Sequence, residues 1–215
     1  MGLEQRAPAG PAATLVLAGR GQNDRVTGSR GADLPPLAAE DHVCAACDVS
    51  YPALDVATAV AGIRSVPDAV AARVVTLPDA AVRRRPEPTV WSVLEYAAHV
   101  RDVYATFLIR LHRARVEDHP TLEPMFGDLR ARRLRYAELP PDAVLAELAL
   151  AAEGFCDEVA ETANDEWGRL VRRLPGEDRT ALWILRQAMH EGVHHVRDID
   201  RVAALVTSAG GVQDS

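Results

Sequence analysis

The chain has no lysine. All 24 of its basic residues are arginine, set against 31 acidic residues for a formal net charge of −7. An acidic balance with a pI near 5.5 argues against a general nucleic-acid or membrane-surface binder. Cysteine is scarce as well. The three thiols, Cys44, Cys47 and Cys156, are too few and too unevenly placed for a disulfide scaffold. No apolar run approaches the roughly 20 residues that a membrane helix requires. The short N-terminal apolar stretch AATLVLA has neither a basic start nor a cleavage site, so no signal peptide is expected and the cytoplasm is the expected location.

What remains is one domain of ordinary size, with a hydrophobic fraction of 48% that supports a sizeable core. Residues 1–40, rich in Gly, Ala, Pro and Arg, show no sustained period and read as a disordered or loosely packed tail. Residues 41–207 read as the folded domain and 208–215 as a flexible end. From residue 56 onward the period is helical. Val56, Val60, Ile63, Val66, Val70 and Val74 mark a first helix, which Pro67 should kink or split, with Ser65 as a new cap. A second helix starts near Trp91 and turns Val93, Tyr96, Val100, Val103, Phe107 and Leu111 inward. A short Arg-rich helix fits LRARRLRYAEL. A third helix opens at PPDAV. The fourth, capped by Asp178 or Thr180, runs to about Val206. No stretch alternates long enough for a sheet. The expected class is all-α, a four-helix bundle whose long connections allow a topology other than up-down-up-down.

The chemistry concentrates in MHEGVHHVRDID, Met189 to Asp200. Two i, i+4 pairs occur there: His190 with His194, and Glu191 with His195. The same-face neighbours of His195 are Ile184, Ala188, Ile199 and Val202, so the pair Glu191/His195 points into the bundle. The neighbours of His194 are Gln187, Arg197 and Arg201, a solvated face. A carboxylate aimed into an apolar bundle is costly unless paired or metal-bound. His99, on the second helix, borders its apolar stripe and completes three inward donors, an open metal site with room for water or substrate. Zn²⁺ suits the set; Ni²⁺, Fe²⁺ and Mn²⁺ are alternatives. A buried hydrogen-bonded pair with a structural His99 is the competing reading. His190 and His194 are then alternative ligands or outer partners, and Asp102, near His99 on the same helix, is either a partner for its imidazole or a plain surface carboxylate.

WSVLEYAAHVRDV and MHEGVHHVRDI together resemble the DinB-like (YfiT-like) metalloprotein superfamily, in its actinobacterial branch, over residues 43–206. The resemblance implies a four-helix bundle with one metal ligand on the second helix, here His99, and two at i, i+4 on the last, here Glu191 and His195. Many relatives have His where Glu191 stands; Glu there resembles the pattern of mycothiol-dependent maleylpyruvate isomerase. The implied function is a metal-dependent thiol S-transferase or thiol-dependent isomerase acting on a small electrophile, with a divalent metal and mycothiol as thiol cosubstrate. The all-arginine, Ala- and Val-rich composition of a GC-rich genome favours mycothiol over bacillithiol. The alternatives are a non-catalytic metal-binding bundle and a metal-dependent hydrolase. The implied partners are a small thiol and an electrophile, without nucleic acid or membrane; a homodimer stays open.

Smaller signals remain. Cys44-x-x-Cys47 is half of a zinc ribbon with no second half in the chain; His42 offers a third ligand and another subunit a fourth, against the simpler reading of reduced or redox-labile thiols. Cys156 reads as a packed core thiol. RRRPEP reads as a solvated loop, with lining of the site mouth as the alternative. Trp91 and Trp183 read as packing anchors.

Overall fold

The computed structural model describes residues 34–208. Four long helices form the body: α1 (Val56–Val74), α3 (Val93–Val116), α5 (Pro141–Ala160) and α6 (Ala181–Ser208). Two short ones, α2 (Asp79–Arg83) and α4 (Gly127–Arg133), lie in the connections. The inward stripes are those of the sequence period. Ile63, Val66 and Val70 of α1 meet Val100, Val103 and Leu111 of α3, Leu148 and Phe155 of α5, and Ile184, Ile199 and Val202 of α6 in one continuous core. None of the described helices is long and apolar enough to cross a membrane.

The order of packing sets the site. α1 packs on α5 and α6, and α3 also packs on α5 and α6, so that α1 and α3 face each other across the diagonal. The bundle is thus not up-down-up-down, because successive helices α1 and α3 are not neighbours. The second and last long helices, which carry the candidate ligands, lie side by side.

Local signals fix the helix starts. Ser92 and Glu95 form a reciprocal capping box at the head of α3, a device worth roughly 1 kcal/mol. Arg85 grips the Glu95 carboxylate with two nitrogens at 2.8 and 2.6 Å. Arg84 donates to the Val206 carbonyl. RRRPEP is thus a largely solvated loop, with Arg84, Glu87 and Pro88 exposed, whose arginines also brace helix ends. Thr180 Oγ1 accepts from Trp183 N at 3.1 Å and caps α6.

Three expectations need correction. Pro67 does not split α1, which continues unbroken from Val56 to Val74; Ser65 Oγ donates back to the Gly62 carbonyl at 2.7 Å rather than capping a new helix. A small antiparallel sheet does exist, β1 (Leu170–Arg172) paired with β2 (Asp178–Thr180), too short for alternation to reveal it. Residues 37–40, read as part of the tail, are tied to the body. Arg179 Nε donates to the Ala38 carbonyl at 2.6 Å, Trp183 Nε1 to the same oxygen at 3.0 Å, and Glu40 accepts from Thr180 N at 2.7 Å. Hydrogen bonds to backbone, which carry no sequence period, hold this segment. Residues 1–33 and 209–215 lie outside the described residues.

Candidate metal centre

His99 of α3 and Glu191 and His195 of α6 converge, with one donor atom from each lying within 4.8 Å of the others. Glu191 Oε2 lies 3.2 Å from His195 Nε2 and 3.9 Å from His99 Nε2. Donors around one tetrahedral zinc ion sit roughly 3.4 Å apart, a value these separations bracket. Two imidazole nitrogens and a carboxylate oxygen suit a divalent cation and leave a position open.

The surroundings set each donor. His195 Nδ1 donates to Asp198 Oδ2 at 2.8 Å, which fixes Nδ1 as the donor to Asp198 and leaves Nε2 facing Glu191. Gln187 Nε2 donates to Glu191 Oε1 at 2.6 Å, leaving Oε2 for the centre. Trp91 packs against the His99 ring with centroids 4.9 Å apart, and Tyr96 against His195 at 5.2 Å. Trp91 is thus a wall of the site as well as an anchor; Trp183 is buried as an anchor should be. Cys156 is buried in the core.

Electrostatics follow from burial and pairing. Burial opposes charge on His195, but its bonds to Asp198 and Glu191 outweigh burial and push its pKa up to about 9. Burial likewise opposes the Glu191 charge, yet bonds to His195 and His99 hold it well below the usual carboxylate range. His99 is lowered, chiefly by burial. Without a metal the centre is therefore a partly buried imidazolium–carboxylate cluster, and a cation that binds takes the place of the His195 proton.

Asp102 is neither a partner of His99 nor a surface carboxylate. It is buried and accepts from Arg130 Nη2 at 2.6 Å, from Arg101 Nε at 2.9 Å and from the Tyr136 hydroxyl. His99 Nδ1 stays buried without a hydrogen-bond partner among the described residues. The expectation for His190 and His194 also changes. Their face of α6 is covered, because residues 42–54 lie on it, and both rings are partly buried.

Sequence reasoning did not single out Asp198, Gln187, Tyr51 or Arg110. Asp198, three residues after His195, carried a readable spacing signal; Tyr51 and Arg110 carried none. Burial lowers the Arg110 guanidinium to about 10, partly offset by the Glu191 charge. Arg110 donates to the Glu123 carbonyl and makes no ion pair among the described residues.

A helical bundle with an open three-donor centre across two neighbouring helices defines a class of fold and site, and comparison with known proteins gives it a family. The sequence profile of the DinB superfamily matches residues 63–199, and the chain belongs to that family. Among solved structures it is similar to YfiT from Bacillus subtilis, described as "a probable metal-dependent hydrolase with an unusual four-helix bundle topology". The TM-score is 0.65 at 15% identity, over 71% of this chain and 89% of that one. No curated protein matches.

Proposed function

We propose that the protein is a metal-dependent enzyme in which His99, Glu191 and His195 hold a divalent cation that activates a small thiol for attack on an electrophile. Mycothiol is the thiol that the composition and the Glu at position 191 favour. A divalent cation held there supplies Lewis acidity, which ionises a weak acid at neutral pH. The observation that carries the choice of thiol concerns the nearby carboxylates. Glu191 is a donor to the centre, Asp198 is held by His195 and Arg201, and Asp102 by two arginines and a tyrosine. With its carboxylates so engaged, the site favours a nucleophile that ionises readily. A thiol, with a pKa near 8.5 in free cysteine, does so far more easily than water.

The remaining residues have distinct tasks. Asp198 keeps His195 in the ligating tautomer. Gln187 holds one Glu191 oxygen away so that the other faces the centre. Trp91 and Tyr96 wall the donors with aromatic surface, and Arg110 offers a partly desolvated positive charge to an anionic substrate group.

The test is a turnover screen of metal-loaded protein with mycothiol and a model electrophile, run beside ester and amide substrates without thiol. Thiol-dependent conjugation that disappears with His195→Ala is the expected result. Thiol-independent hydrolysis would instead assign this chain the activity ascribed to YfiT, and no turnover in either arm would leave a binding protein.

A further inference from the structure

The two i, i+4 pairs of α6 differ by a single residue in phase, yet each meets its own set of donors. On another face of α6, under the segment 42–54, Cys44, Cys47, His190 and His194 bring one donor atom each within 4.8 Å of one another. We infer that these four residues form a second, closed metal site of the zinc type, which ties the segment 42–54 to the outer face of α6.

Geometry supports a tetrahedral ion. Cys44 Sγ lies 3.5 Å from His194 Nδ1. Zn–S near 2.3 Å and Zn–N near 2.05 Å place sulfur and nitrogen about 3.6 Å apart around such an ion. The cysteines sit in a tight loop of the kind that presents two thiolates to one side. Cys44 N donates to the Val49 carbonyl at 2.9 Å, Asp48 N to the Cys44 carbonyl at 2.8 Å, and Val43 pairs with Ser50 in an antiparallel bridge. Asp48 takes the left-handed φ of 60° that closes the turn. Both thiols are buried and free.

The hydrogen bonds around His190 single out its ligating atom. Gln187 spends its amide nitrogen on Glu191, so its Oε1 faces the Tyr51 hydroxyl and accepts that proton. The Tyr51 oxygen, 3.1 Å from His190 Nδ1, then accepts from Nδ1–H. This leaves a lone pair on His190 Nε2, an atom that is buried and has no hydrogen-bond partner among the described residues. A buried acceptor of this kind costs roughly 1–3 kcal/mol unless something binds it.

The donor set also separates the two centres by role. Two thiolates and two neutral imidazoles neutralise a divalent ion and fill its coordination shell, which makes this site structural. His99, Glu191 and His195 leave a net charge of about +1 by the same count and an open position. The fourth ligand comes from α6 of the same chain and not from another subunit. His42, which the sequence offered as a third ligand beside the cysteines, instead packs its ring against Tyr51 and His190 at 5.2 and 5.3 Å. The sites are linked twice. The chain His190–Tyr51–Gln187–Glu191 joins a ligand of one to a ligand of the other, and Asp198 Oδ2 lies 2.8 Å from His195 Nδ1 and 3.7 Å from His194 Nε2.

Elemental analysis of the full chain, purified with a thiol reductant and without chelator, is expected to give two zinc equivalents. The Cys44→Ser/Cys47→Ser double variant should retain one, and so should His195→Ala. After cobalt substitution, wild type and His195→Ala should show thiolate-to-cobalt charge-transfer absorption, and the double variant should not. Arg186 and Arg197 also pin this segment through the Leu54 and Ala46 carbonyls, which should keep the double variant folded. If it does not fold, Cys44→His keeps four donors and should hold two zinc ions with about half the charge-transfer intensity. A single equivalent in wild type that the cysteine substitutions leave unchanged, cobalt protein without thiolate absorption, or a Cys44–Cys47 disulfide in the reductant-treated protein would overturn the inference. The open centre is scored separately, because His195→Ala and the cysteine variants remove different ions.

Discussion

His190 and Glu191 are consecutive residues on α6, yet they serve different faces of it: Glu191 faces His99 and His195, whereas His190 faces Tyr51 and the cysteine loop. A step of about 100° per residue around the helix separates them. One turn later His194 and His195 repeat the division. A single helix thus presents two ligand pairs to two environments, and substitutions one residue apart should have separable effects.

Asp198→Asn tests the support behind His195. The amide cannot accept from His195 Nδ1 with the strength of a carboxylate and can enforce the wrong tautomer. Loss of such a partner typically weakens metal affinity 10–100-fold. Competition with a chelator should show about that loss at the open centre while the protein stays folded. Unchanged affinity would mean that the Asp198 contact serves packing alone.

Glu191→Gln keeps the side-chain volume and removes a negative charge and a strong oxygen donor. Weaker metal binding at the open centre and lower thiol transfer at neutral pH are expected, and excess metal should restore activity only in part. Full activity of this variant would take Glu191 out of the mechanism.

The metal-free protein should have a stability maximum near pH 6.5, through two histidines of opposite sign. The folded-state pKa of His195 is raised to about 9, so its contribution is fully present below pH 6.5 and is lost as pH rises through 9. Burial depresses His190 to about 4, so its contribution is present above pH 6.5 and is lost as pH falls through 4. Denaturant titrations of stripped protein should show both slopes, and His195→Gln should flatten the alkaline one. The stripped protein should remain helical throughout, since the core residues that join the four long helices, among them Ile63, Leu148, Ile184 and Ile199, are ligands of neither centre.

Gly192 lies between the two ligand pairs, and a methyl group there would overlap the Tyr104 hydroxyl and meet Val66 Cγ2 at 3.0 Å. Tyr104 is fully buried and cannot swing out to solvent. Gly192→Ala should therefore destabilise by about 1–3 kcal/mol through overpacking, despite the better helix propensity of alanine. A thermal melt equal to or above wild type would show that α1 and α3 yield more easily than their packing suggests.

The period of the apolar residues was enough to determine four long helices, their inward stripes and the inward phase of Glu191 and His195, because burial of one helical face is written directly into residue spacing. Spacing along one helix says nothing about what covers its other face. His190 and His194 read as solvated until the cysteine loop, more than a hundred residues earlier, was seen folded over them. Likewise the packing of α3 beside α6 brought His99 to Glu191, the packing of α4 and the turn after it on α3 gave Asp102 to Arg130 and Tyr136, and the segment 42–54 placed Tyr51 between Gln187 and His190. Those contacts join elements far apart in the chain, where neither helical period nor local capping carries a signal, and the tertiary structure alone decided them.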